Sequence, residues 1–336
     1  ERKKLLKALE AVKPALANKE LVEQSTFFAF MDGRVIAYND EISISYPLPE
    51  AGFIGAIKAE ELYAFLNRTS AKEIKIAAVG PELQISAGRS KAGFTLQQTI
   101  KLPLDDLGKI SGWKSLPPDF LDALSFVAFS CGRSMGSPVL SCIYIRADGV
   151  IESCDNYRLT QYKPKKKCPA APLLIPVISA EDLVKYPVTQ IVQTPGWVHF
   201  RAEDETVFSC RLYSGNFPDT AHILDVEGKE IQFPSEMAEI LERAEIFSQQ
   251  PLGERPQVTV EFTGKEMVVK ARCDTAWFEE SVKVNCPALQ FTTEPAFLSK
   301  ALNKKTTCVV AETKIRFAGE NWVHVLSLMK KEAKDG

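Results

Sequence analysis

The chain has 336 residues, more than one hydrophobic core usually serves, so two or three domains are expected. Its hydrophobic content of 45% and charged content of 25% are typical of soluble globular proteins, and no apolar run is long enough to cross a bilayer. A net charge of -2 excludes a globally basic nucleic-acid-binding protein but allows a local basic surface.

The eight cysteines are scattered and include no Cys-x-x-Cys pair, which argues against a zinc ribbon or a redox motif. Cys142, Cys210 and Cys308 lie in apolar, strand-like contexts and are expected to be buried, reduced thiols. This usage predicts a cytoplasmic protein. The chain opens on an amphipathic helix without the apolar region of a signal peptide. Because Glu1 is not a methionine, we expect a trimmed N-terminus.

The first third of the chain predicts two helices, each followed by antiparallel strands. Leu5, Leu9 and Val12 fall at helical spacing. Asp32-Gly33 between two apolar runs is a strong signal for a β-hairpin. The predicted helices cover residues 2–16 and 58–68, and the predicted strands cover 27–30, 35–38, 42–46, 73–78, 83–87 and 93–97.

The same order of elements occurs twice more. The second set has helices at 118–131 and 179–186, with Ser179 and Asp182 predicted to form a capping box. Its strands are predicted at 139–145, 150–153, 159–162, 189–193, Trp197–Ala202 and 207–213. The third set has helices at 235–248 and 295–304, and strands at Val258–Phe262, 267–271, 278–282, 307–311, Lys314–Ala318 and 322–329.

This repeat of a helix and about three strands predicts an α+β fold of three similar domains, each with two helices and antiparallel sheets. The predicted domains are residues 1–106, 107–222 and 223–336. The period is far longer than that of a solenoid. An arc of like domains can close into a ring by symmetric association, with a helix pair from every domain lining the hole.

One polar turn, Cys154-Asp-Asn-Tyr-Arg158, stands out at a strand end. Asp and Asn favour turns because their side chains bond to nearby backbone groups. Arg offers a planar donor fork and Tyr an amphipathic ring, and both are suited to gripping a partner. A solvated hairpin loop is the plain alternative.

Five segments carry a resemblance to a known family. Residues 154–159 are similar to a Thr-Asp-Gly-His-Arg-Leu signature, and 216–219 to an Arg-Phe-Pro-Asp segment. Residues 87–90 with 94–96 resemble Ser-Gly-Arg-Ser-Arg-Phe-Ser-Leu, 5–9 match an opening helix, and 323–329 stand where Tyr-Val-Val-Met-Pro-Met-Arg ends the chain. Along the chain, the five segments occur in the same order as in the bacterial DNA polymerase III beta subunit, the sliding clamp. The chain resembles a divergent member of that family over nearly its whole length.

The chain departs from the family pattern within these segments. Asn156 and Tyr157 replace Gly and His of the signature, and Ser327-Leu328-Met329 replaces Met-Pro-Met. Cys154 stands in place of Thr and lacks the hydroxyl, so the preferred partner peptide is expected to differ. The chain is also shorter than typical members.

The resemblance implies a non-catalytic processivity factor with no cofactor and no metal. Two crescents would join head to tail as a homodimeric ring that slides on duplex DNA and tethers the replicative polymerase. Lysine and arginine near phosphates supply attraction that is independent of sequence. The implied DNA-lining residues are Lys7, Lys13, Lys19, Arg133, Lys300 and Lys304, and a solvated helix face is the alternative for each. Glutamates at 236, 239, 242 and 245 oppose a uniformly basic bore.

The resemblance also implies a pocket in which the polymerase and the clamp loader dock through short peptide motifs. Apolar side chains would form its wall, and Arg158 and His222 would orient the peptide by hydrogen bonds. Plain core packing is the alternative for Leu140, Leu159 and Val325. The implied pocket residues are Leu140, Cys154, Asn156, Tyr157, Arg158, Leu159, Pro218, His222, Ile223, Val325, Ser327, Leu328 and Met329.

The ring interface is expected to pair an edge strand holding Phe94 and Leu96 with the helix end at Ile246 and Phe247. An exposed edge strand invites pairing with a second subunit. Closure of its own core is the alternative role of Phe247.

Two other classes of function stay open from the sequence. One is a repeat scaffold that binds proteins without encircling DNA. The other is a thiol enzyme centred on Cys154, with Asp155 and one of the three histidines, although no local signature supports it.

Overall fold

The computed structural model describes residues 1–133, 136–170, 172–251 and 254–329. Within these ranges the helices are α1 (Arg2–Val12), α2 (Ala59–Arg68), α3 (Phe120–Ala128), α4 (Val177–Leu183), α5 (Ala221–Leu224), α6 (Met237–Glu245) and α7 (Pro295–Leu302). Short 3-10 turns at Lys13–Ala15 and Pro138–Ser141 follow α1 and α3.

The strands alternate with these helices along the chain and fall into three repeats. The first repeat holds β1 (Phe27–Met31), β2 (Arg34–Tyr38), β3 (Ile42–Pro47), β4 (Gly55–Lys58), β5 (Lys75–Val79), β6 (Glu82–Ala87) and β7 (Ser90–Thr95). The second holds β8 (Lys114–Ser115), β9 (Cys142–Ile145), β10 (Ile151–Cys154), β11 (Arg158–Tyr162), β12 (Leu173–Pro176), β13 (Val188–Thr194), β14 (Trp197–Ala202) and β15 (Val207–Arg211). The third holds β16 (Lys229–Gln232), β17 (Val258–Phe262), β18 (Glu266–Arg272), β19 (Trp277–Lys283), β20 (Leu289–Thr293), β21 (Thr307–Val310), β22 (Lys314–Ala318) and β23 (Trp322–Ser327).

Each repeat contains a helix, four strands, a second helix and three strands, preceded by β8 in the second repeat and by α5 and β16 in the third. The two main helices of each repeat pack together. The predicted α+β fold with antiparallel sheets is confirmed. The predicted run of about three strands is one strand short after α1, α3 and α6, because β4, β12 and β20 were missed, and it is confirmed after α2, α4 and α7. The missed strands are only four or five residues long. The Leu-Leu-Ile-Pro run of β12 shows no alternation that would separate a strand from the start of a helix.

Contacts divide the chain into two compact units. Unit 1 comprises Glu1–Ala128, Cys142–Gly149 and Lys165–Gly215. It holds an eight-stranded sheet in the order β4-β1-β2-β3-β15-β14-β13-β8 and a smaller sheet β5-β6-β7. Phe28, Tyr38 and Trp197 are among its fully buried side chains.

Unit 2 comprises Phe129–Ser141, Val150–Pro164 and the described part of the chain from Asn216 onward. Its strands form the series β10-β11-β23-β22-β21-β16 and the sheet β19-β18-β17-β20. Its core contains Phe233, Phe262 and Phe317. The division into domains 1–106, 107–222 and 223–336 is a different partition of the chain and stays a prediction.

The hairpin predicted at Asp32-Gly33 is confirmed. Met31 pairs with Arg34, and the two turn residues have φ angles of 50° and 68°. Positive φ at both positions is what a two-residue turn of this type requires. A Cβ on Gly33 would also lie 3.3 Å from the Cα of Pro49, so glycine is needed for space as well as conformation.

Three four-residue turns occupy equivalent places in the three repeats. The first turn residue is Asn39, Asp155 or Cys273, and its side chain bonds to groups two and three residues further on. Such bonds stabilise the turn in place of a backbone ladder. The residue pairs that close these turns are Tyr38–Ser43, Cys154–Leu159 and Arg272–Trp277.

The capping box predicted at Ser179 and Asp182 is wrong. Helix α4 begins at Val177, directly after β12, with Pro176 at its N-cap position. Ser179 is therefore inside the helix, where it is buried, and its Oγ has no hydrogen-bond partner among the described residues. The fixed φ of proline places the strand-to-helix boundary earlier than the Ser-x-x-Asp spacing suggested.

Candidate functional site

One carboxylate holds the turn at residues 154–159 in unit 2. The Oδ1 atom of Asp155 accepts hydrogen bonds from the backbone N–H groups of Tyr157 at 2.8 Å and Arg158 at 3.0 Å. Its Oδ2 atom accepts a hydrogen bond from Arg158 Nε at 2.9 Å. The side chain of Asp155 is only 15% exposed and that of Arg158 only 8%. Removing one partner of such a pair leaves a buried, uncompensated charge. The sequence-based pocket omitted Asp155, although an Asp that opens a turn is itself a signal.

Arg158 lies between two aromatic rings. Its Cζ is 3.9 Å from the ring centroid of Phe297 and 5.9 Å from that of Phe129. Its Nη1 atom is buried and has no hydrogen-bond partner among the described residues. The predicted role of Arg158 in orienting a peptide stays a prediction. The structure assigns the Nε donor to Asp155, which leaves only the Nη groups for such a role.

Tyr157 and Arg255 extend this arrangement outward. The Cζ of Arg255 is 3.6 Å from the ring centroid of Tyr157 and 5.4 Å from that of Phe297. Guanidinium groups and rings therefore alternate in a single row, an arrangement that cation–π attraction favours. We call this the aromatic–arginine row, and its members are Tyr157, Arg255, Phe297, Arg158 and Phe129. Arg255 and Phe297 were missed because they come from a distant part of the chain with no local motif.

The last strand of the chain lies beside the turn. β23 pairs with β11, and Leu159 is directly opposite Val325. Both side chains are buried, so they form part of the core beneath the turn. The N–H of Ser327 donates to the carbonyl oxygen of Tyr157 at 2.7 Å, which ties the strand to the turn.

The two residues after β23 are also held by backbone hydrogen bonds. The N–H of Leu328 donates to Thr313 O at 2.8 Å, and that of Met329 to Thr292 O at 2.9 Å. Both side chains are half-buried. Ser327 therefore lies next to Tyr157, and Leu328 and Met329 follow it with their backbones held in place; we call these four residues the surface formed by Tyr157, Ser327, Leu328 and Met329.

A buried glutamate anchors the segment that carries three more predicted pocket residues. The Oε2 of Glu152 accepts hydrogen bonds from Thr220 Oγ1 at 2.8 Å and Gln161 Nε2 at 2.6 Å. Thr220 immediately precedes α5. Pro218 and His222 are exposed near this anchor and Ile223 is half-buried. Glu152 was not predicted, since a buried glutamate within a strand cannot be recognised from one sequence.

The remaining predicted pocket residues differ in exposure. Asn156 is exposed at the tip of the turn, and Leu140 is half-buried in the 3-10 turn, where its carbonyl accepts the N–H of Gly132 at 2.8 Å. Cys154 is buried, and this burial, aided by Glu152 and Asp155, raises its pKa to about 12. A thiol that stays protonated is a poor nucleophile, which argues against a thiol enzyme at Cys154.

Behind the turn lies a buried polar network. His324 Nδ1 is 2.7 Å from Thr160 Oγ1, which is 2.5 Å from Ser130 Oγ. The imidazole ring is 4.8 Å from the ring of Phe129, measured between centroids. Burial, with the nearby charge of Arg158, lowers the pKa of His324 to about 3. The histidine is therefore neutral at physiological pH and acts as a core residue.

Three predicted DNA-lining residues lie in unit 1. Lys7, Lys13 and Lys19 are all exposed. The Nζ of Lys13 is 4.2 Å from the ring centroid of Tyr63, and that of Lys7 is 5.9 Å from Tyr46. Lys13, Lys19 and the unpredicted Lys58 line one open cleft of 650 Å³. Glu20 and Glu60 line the same cleft, so its ionisable side chains carry an excess of one positive charge.

The other three predicted DNA-lining residues lie in unit 2. Arg133 is exposed. The next two residues of the loop predicted to touch DNA, 134–135 including Met135, lie outside the described ranges. Lys300 is exposed on α7 and Lys304 just after it. The acidic residues of α6 stay exposed, with Glu239 near Arg243 at 3.9 Å. The DNA-lining roles stay predictions.

The predicted interface residues divide into exposed and buried ones. Phe94 is half-buried on β7, at the edge of its sheet, whereas Leu96 is buried with 4% exposure against Gly55. Ile246 is 73% exposed, and Phe247 stacks on Phe278 with centroids 5.6 Å apart. Leu96 therefore packs inside unit 1, and Ile246 is the accessible apolar group of the helix end.

None of the helices in the described ranges combines the length and the apolarity that spanning a membrane requires. Within the same ranges, no group of three or more His, Cys, Asp or Glu side chains is arranged to hold a metal ion.

The repeated helix-and-sheet architecture is that of the DNA sliding clamps. The beta chain of DNA polymerase III from Streptococcus pneumoniae TIGR4 superposes with a TM-score of 0.85 at 16% identity, over 98% of both chains. The sliding clamp of Bacillus subtilis and the DNA polymerase III beta subunit of Pseudomonas aeruginosa each give 0.81 at 16% identity, again over 98% of both chains. No protein-family description and no curated protein matches the sequence. The likeness therefore concerns the fold, and the resemblance noted from the sequence motifs agrees with it.

Proposed function

We propose that the chain is a cytoplasmic DNA sliding clamp. In this function a homodimeric ring encircles duplex DNA and holds the replicative polymerase and the clamp loader through short peptide motifs. The fold, shared over 98% of the chain with sliding clamps, supports this. The peptides would dock on the residues around Tyr157, Ser327 and Met329, where the turn meets the last strand. Such a protein acts by topology, so it needs no reacting group.

The observation that carries the proposal is a pair of internal seams with one register. In unit 1, β3 pairs with β15 and Ser43 is opposite Ser209. In unit 2, β11 pairs with β23 and Leu159 is opposite Val325. Each seam joins the third strand after the first main helix of one repeat, β3 or β11, to the last strand of the next repeat, β15 or β23.

Equivalent residues show that the two registers are the same. Ser43 and Leu159 each follow the four-residue turn, and Trp277 holds that place in the third repeat. The last two strands of each repeat form a hairpin. Ser209 and Val325 are each the third residue after the one at which the last strand begins to pair, and Gly93 has the same position in the first repeat. Strands β19 and β7, which carry Trp277 and Gly93, are both edges of their sheets. A second copy can therefore supply the partner that each edge lacks.

The same register sets specific contacts across the proposed seam. Trp277, which is 68% exposed, would lie opposite Gly93 of a second copy, where the side chain of Glu82 lies over the glycine. Two residues further on, Glu279 would lie opposite Lys91. Opposite charges directly across two strands attract, and both side chains are exposed. Two such seams close a head-to-tail ring with two-fold symmetry.

The basic cleft supports weak contact with the DNA backbone. Lys13, Lys19 and Lys58 are flexible point charges that can attract phosphates without reading base edges. Replacing Lys13 and Lys19 by Gln should reduce the slope of log affinity against log salt by about 2, since each phosphate contact contributes roughly 0.9. An unchanged slope would remove these residues from the DNA-facing surface.

The topological function is tested with circular and linear DNA. The chain is loaded on nicked circular duplex with a clamp loader, and retention is measured by gel filtration before and after linearisation. A clamp stays on the circle and is lost from the linear form. Equal retention on both forms would contradict encirclement, and binding of peptides without any retention would favour the scaffold alternative.

A further inference from the structure

We propose that Arg255 binds a carboxylate of the partner peptide and so makes the pocket selective for acidic partners. This inference rests on the proposed peptide pocket. Arg255 lies outside the residues that the sequence motifs implied. Its guanidinium stacks on the Tyr157 ring at 3.6 Å, on the same side of unit 2 as the surface formed by Tyr157, Ser327, Leu328 and Met329.

The guanidinium of Arg255 is held by one hydrogen bond and by ring contacts, and two of its nitrogen atoms keep available donors. Its Nε donates to Glu294 Oε2 at 3.0 Å, and Phe297 lies on the inner side with its centroid 5.4 Å from Cζ. Its Nη1 and Nη2 donate to none of the described residues, and the side chain is 25% exposed. A planar fork with two available donors matches the two oxygens of a carboxylate. Stacking fixes the fork in advance, which lowers the entropy cost of binding.

The charges around the row favour an anionic ligand. Asp155 compensates Arg158 and Glu294 compensates Arg255. Lys314, opposite Ser327 in the β22–β23 pair, donates to the carbonyl oxygen of His222 at 3.4 Å. It forms no ion pair with any carboxylate of the described residues. Lys314 therefore adds a positive charge on the strand next to Ser327, and complementary charge improves both specificity and association rate.

Tyr157 has a defined part in this arrangement. Its backbone carbonyl accepts the N–H of Ser327, so the backbone that carries the ring is held beside the last strand. The guanidinium of Arg255 stacks on this ring and so lies next to the turn. A peptide bound by apolar side chains on that surface would present an adjacent carboxylate to the fork.

Selection and affinity measurements test the proposal. Random hexapeptides, with free or amidated C-termini, are selected on the immobilised full chain and on R255Q. The wild-type chain should enrich Asp or Glu at one position, or a free C-terminus, and R255Q should lose that enrichment while keeping the apolar positions. The two peptide forms distinguish a side-chain carboxylate from a terminal one.

A double-mutant cycle then isolates the contact. For the best peptide, exchange of its carboxylate for the amide should weaken binding to the wild-type chain about tenfold, as measured by fluorescence polarisation. The same exchange should change R255Q binding by less than twofold, and R255K should be intermediate because it keeps the charge and loses the fork. Arg243→Gln, at an exposed arginine on α6 paired with Glu280, is the matched control and should behave as wild type.

The outcomes separate the two levels of the argument. If neither chain selects any peptide, the pocket itself is wrong. If both chains select peptides with the same acidic preference, the pocket stands and the role of Arg255 is refuted. Circular dichroism of R255Q shows whether the fold is intact, and retained apolar selection shows that the surface is intact.

Discussion

A charge exchange between Lys91 and Glu279 tests the proposed seam most directly. Reversal of one charge, as in Lys91→Glu, would place two glutamates opposite each other in both seams of the ring. A cross-strand ion pair contributes roughly 0.2–1 kcal/mol, and a like-charge pair costs about as much. One reversal should therefore cost about 1 kcal/mol per seam. The two seams of one ring together should lose about 2 kcal/mol.

This energy is large enough to measure. A loss of about 2 kcal/mol raises the dimer dissociation constant roughly thirtyfold, since about 1.4 kcal/mol corresponds to a factor of ten. Sedimentation equilibrium at low salt measures this constant for wild type, Lys91→Glu, Glu279→Lys and the double variant. The double variant restores opposite charges in each seam and should return to within about threefold of wild type. All differences should shrink at high salt, because exposed charges are screened.

A control and a refuting result complete this experiment. Lys75→Glu changes an exposed lysine on β5, at the other edge of the same small sheet as β7, and should leave dimerisation unchanged. Glu279 also has Lys270 3.9 Å away, so Glu279→Lys is expected to be the less stable single variant. A double variant no better than the single ones would refute the register derived from the internal seams.

Three further predictions concern stability and are read from chemical denaturation unless stated. Asp155→Asn keeps the oxygen that accepts the turn hydrogen bonds but leaves the buried charge of Arg158 unpaired, so it should lower the free energy of unfolding by about 3 kcal/mol. Asp155→Ala should lower it further. Equal, small losses for the two variants would mean that the ion pair is solvated. His324 has a folded pKa lowered to about 3 by burial, so the unfolded chain binds the proton first as pH falls below about 6.5. The free energy of unfolding should therefore fall by about 1.4 kcal/mol for each unit that the pH is lowered between about 6.5 and 3. A His324 ring signal that titrates near pH 6 by NMR would contradict this. Gly33→Ala should cost about 1 kcal/mol or more, because φ is 68° and Pro49 is close; an unchanged midpoint would show that the hairpin adapts.

Much of the fold follows from local patterns in the sequence. Asp32-Gly33 fixes its hairpin because the turn geometry and the residue preference agree. Trp197–Ala202, Val258–Phe262 and Lys314–Ala318 were predicted with the bounds that the structure shows. Each of them has apolar residues on the buried face at alternating positions. The β12 strand was missed because continuous apolar runs of four residues have no period to read.

The candidate site was only partly predictable. The turn at 154–159 is visible as a cluster of polar residues, so Tyr157 and Arg158 could be named. Arg255 and Phe297 reach the same place through folding of distant segments, and no spacing in the sequence relates them to Tyr157. Leu96 was expected at an interface because the edge strand was predicted to run to residue 97, but β7 ends at Thr95 and the side chain of Leu96 is buried. Tertiary contacts decide these cases, and one sequence does not contain them.

The third of the equivalent turns provides a natural attachment point for a reporter. Cys273 is partly accessible, while the other seven cysteines are buried. Hydrogen bonds from the backbone and hydroxyl of Thr275 lower its pKa, so its thiolate forms more readily than that of an ordinary thiol. A maleimide dye should therefore mark this single position in the unmodified chain. Because the dye would lie four residues before Trp277, its fluorescence should report whether the proposed seam forms, without any engineered cysteine.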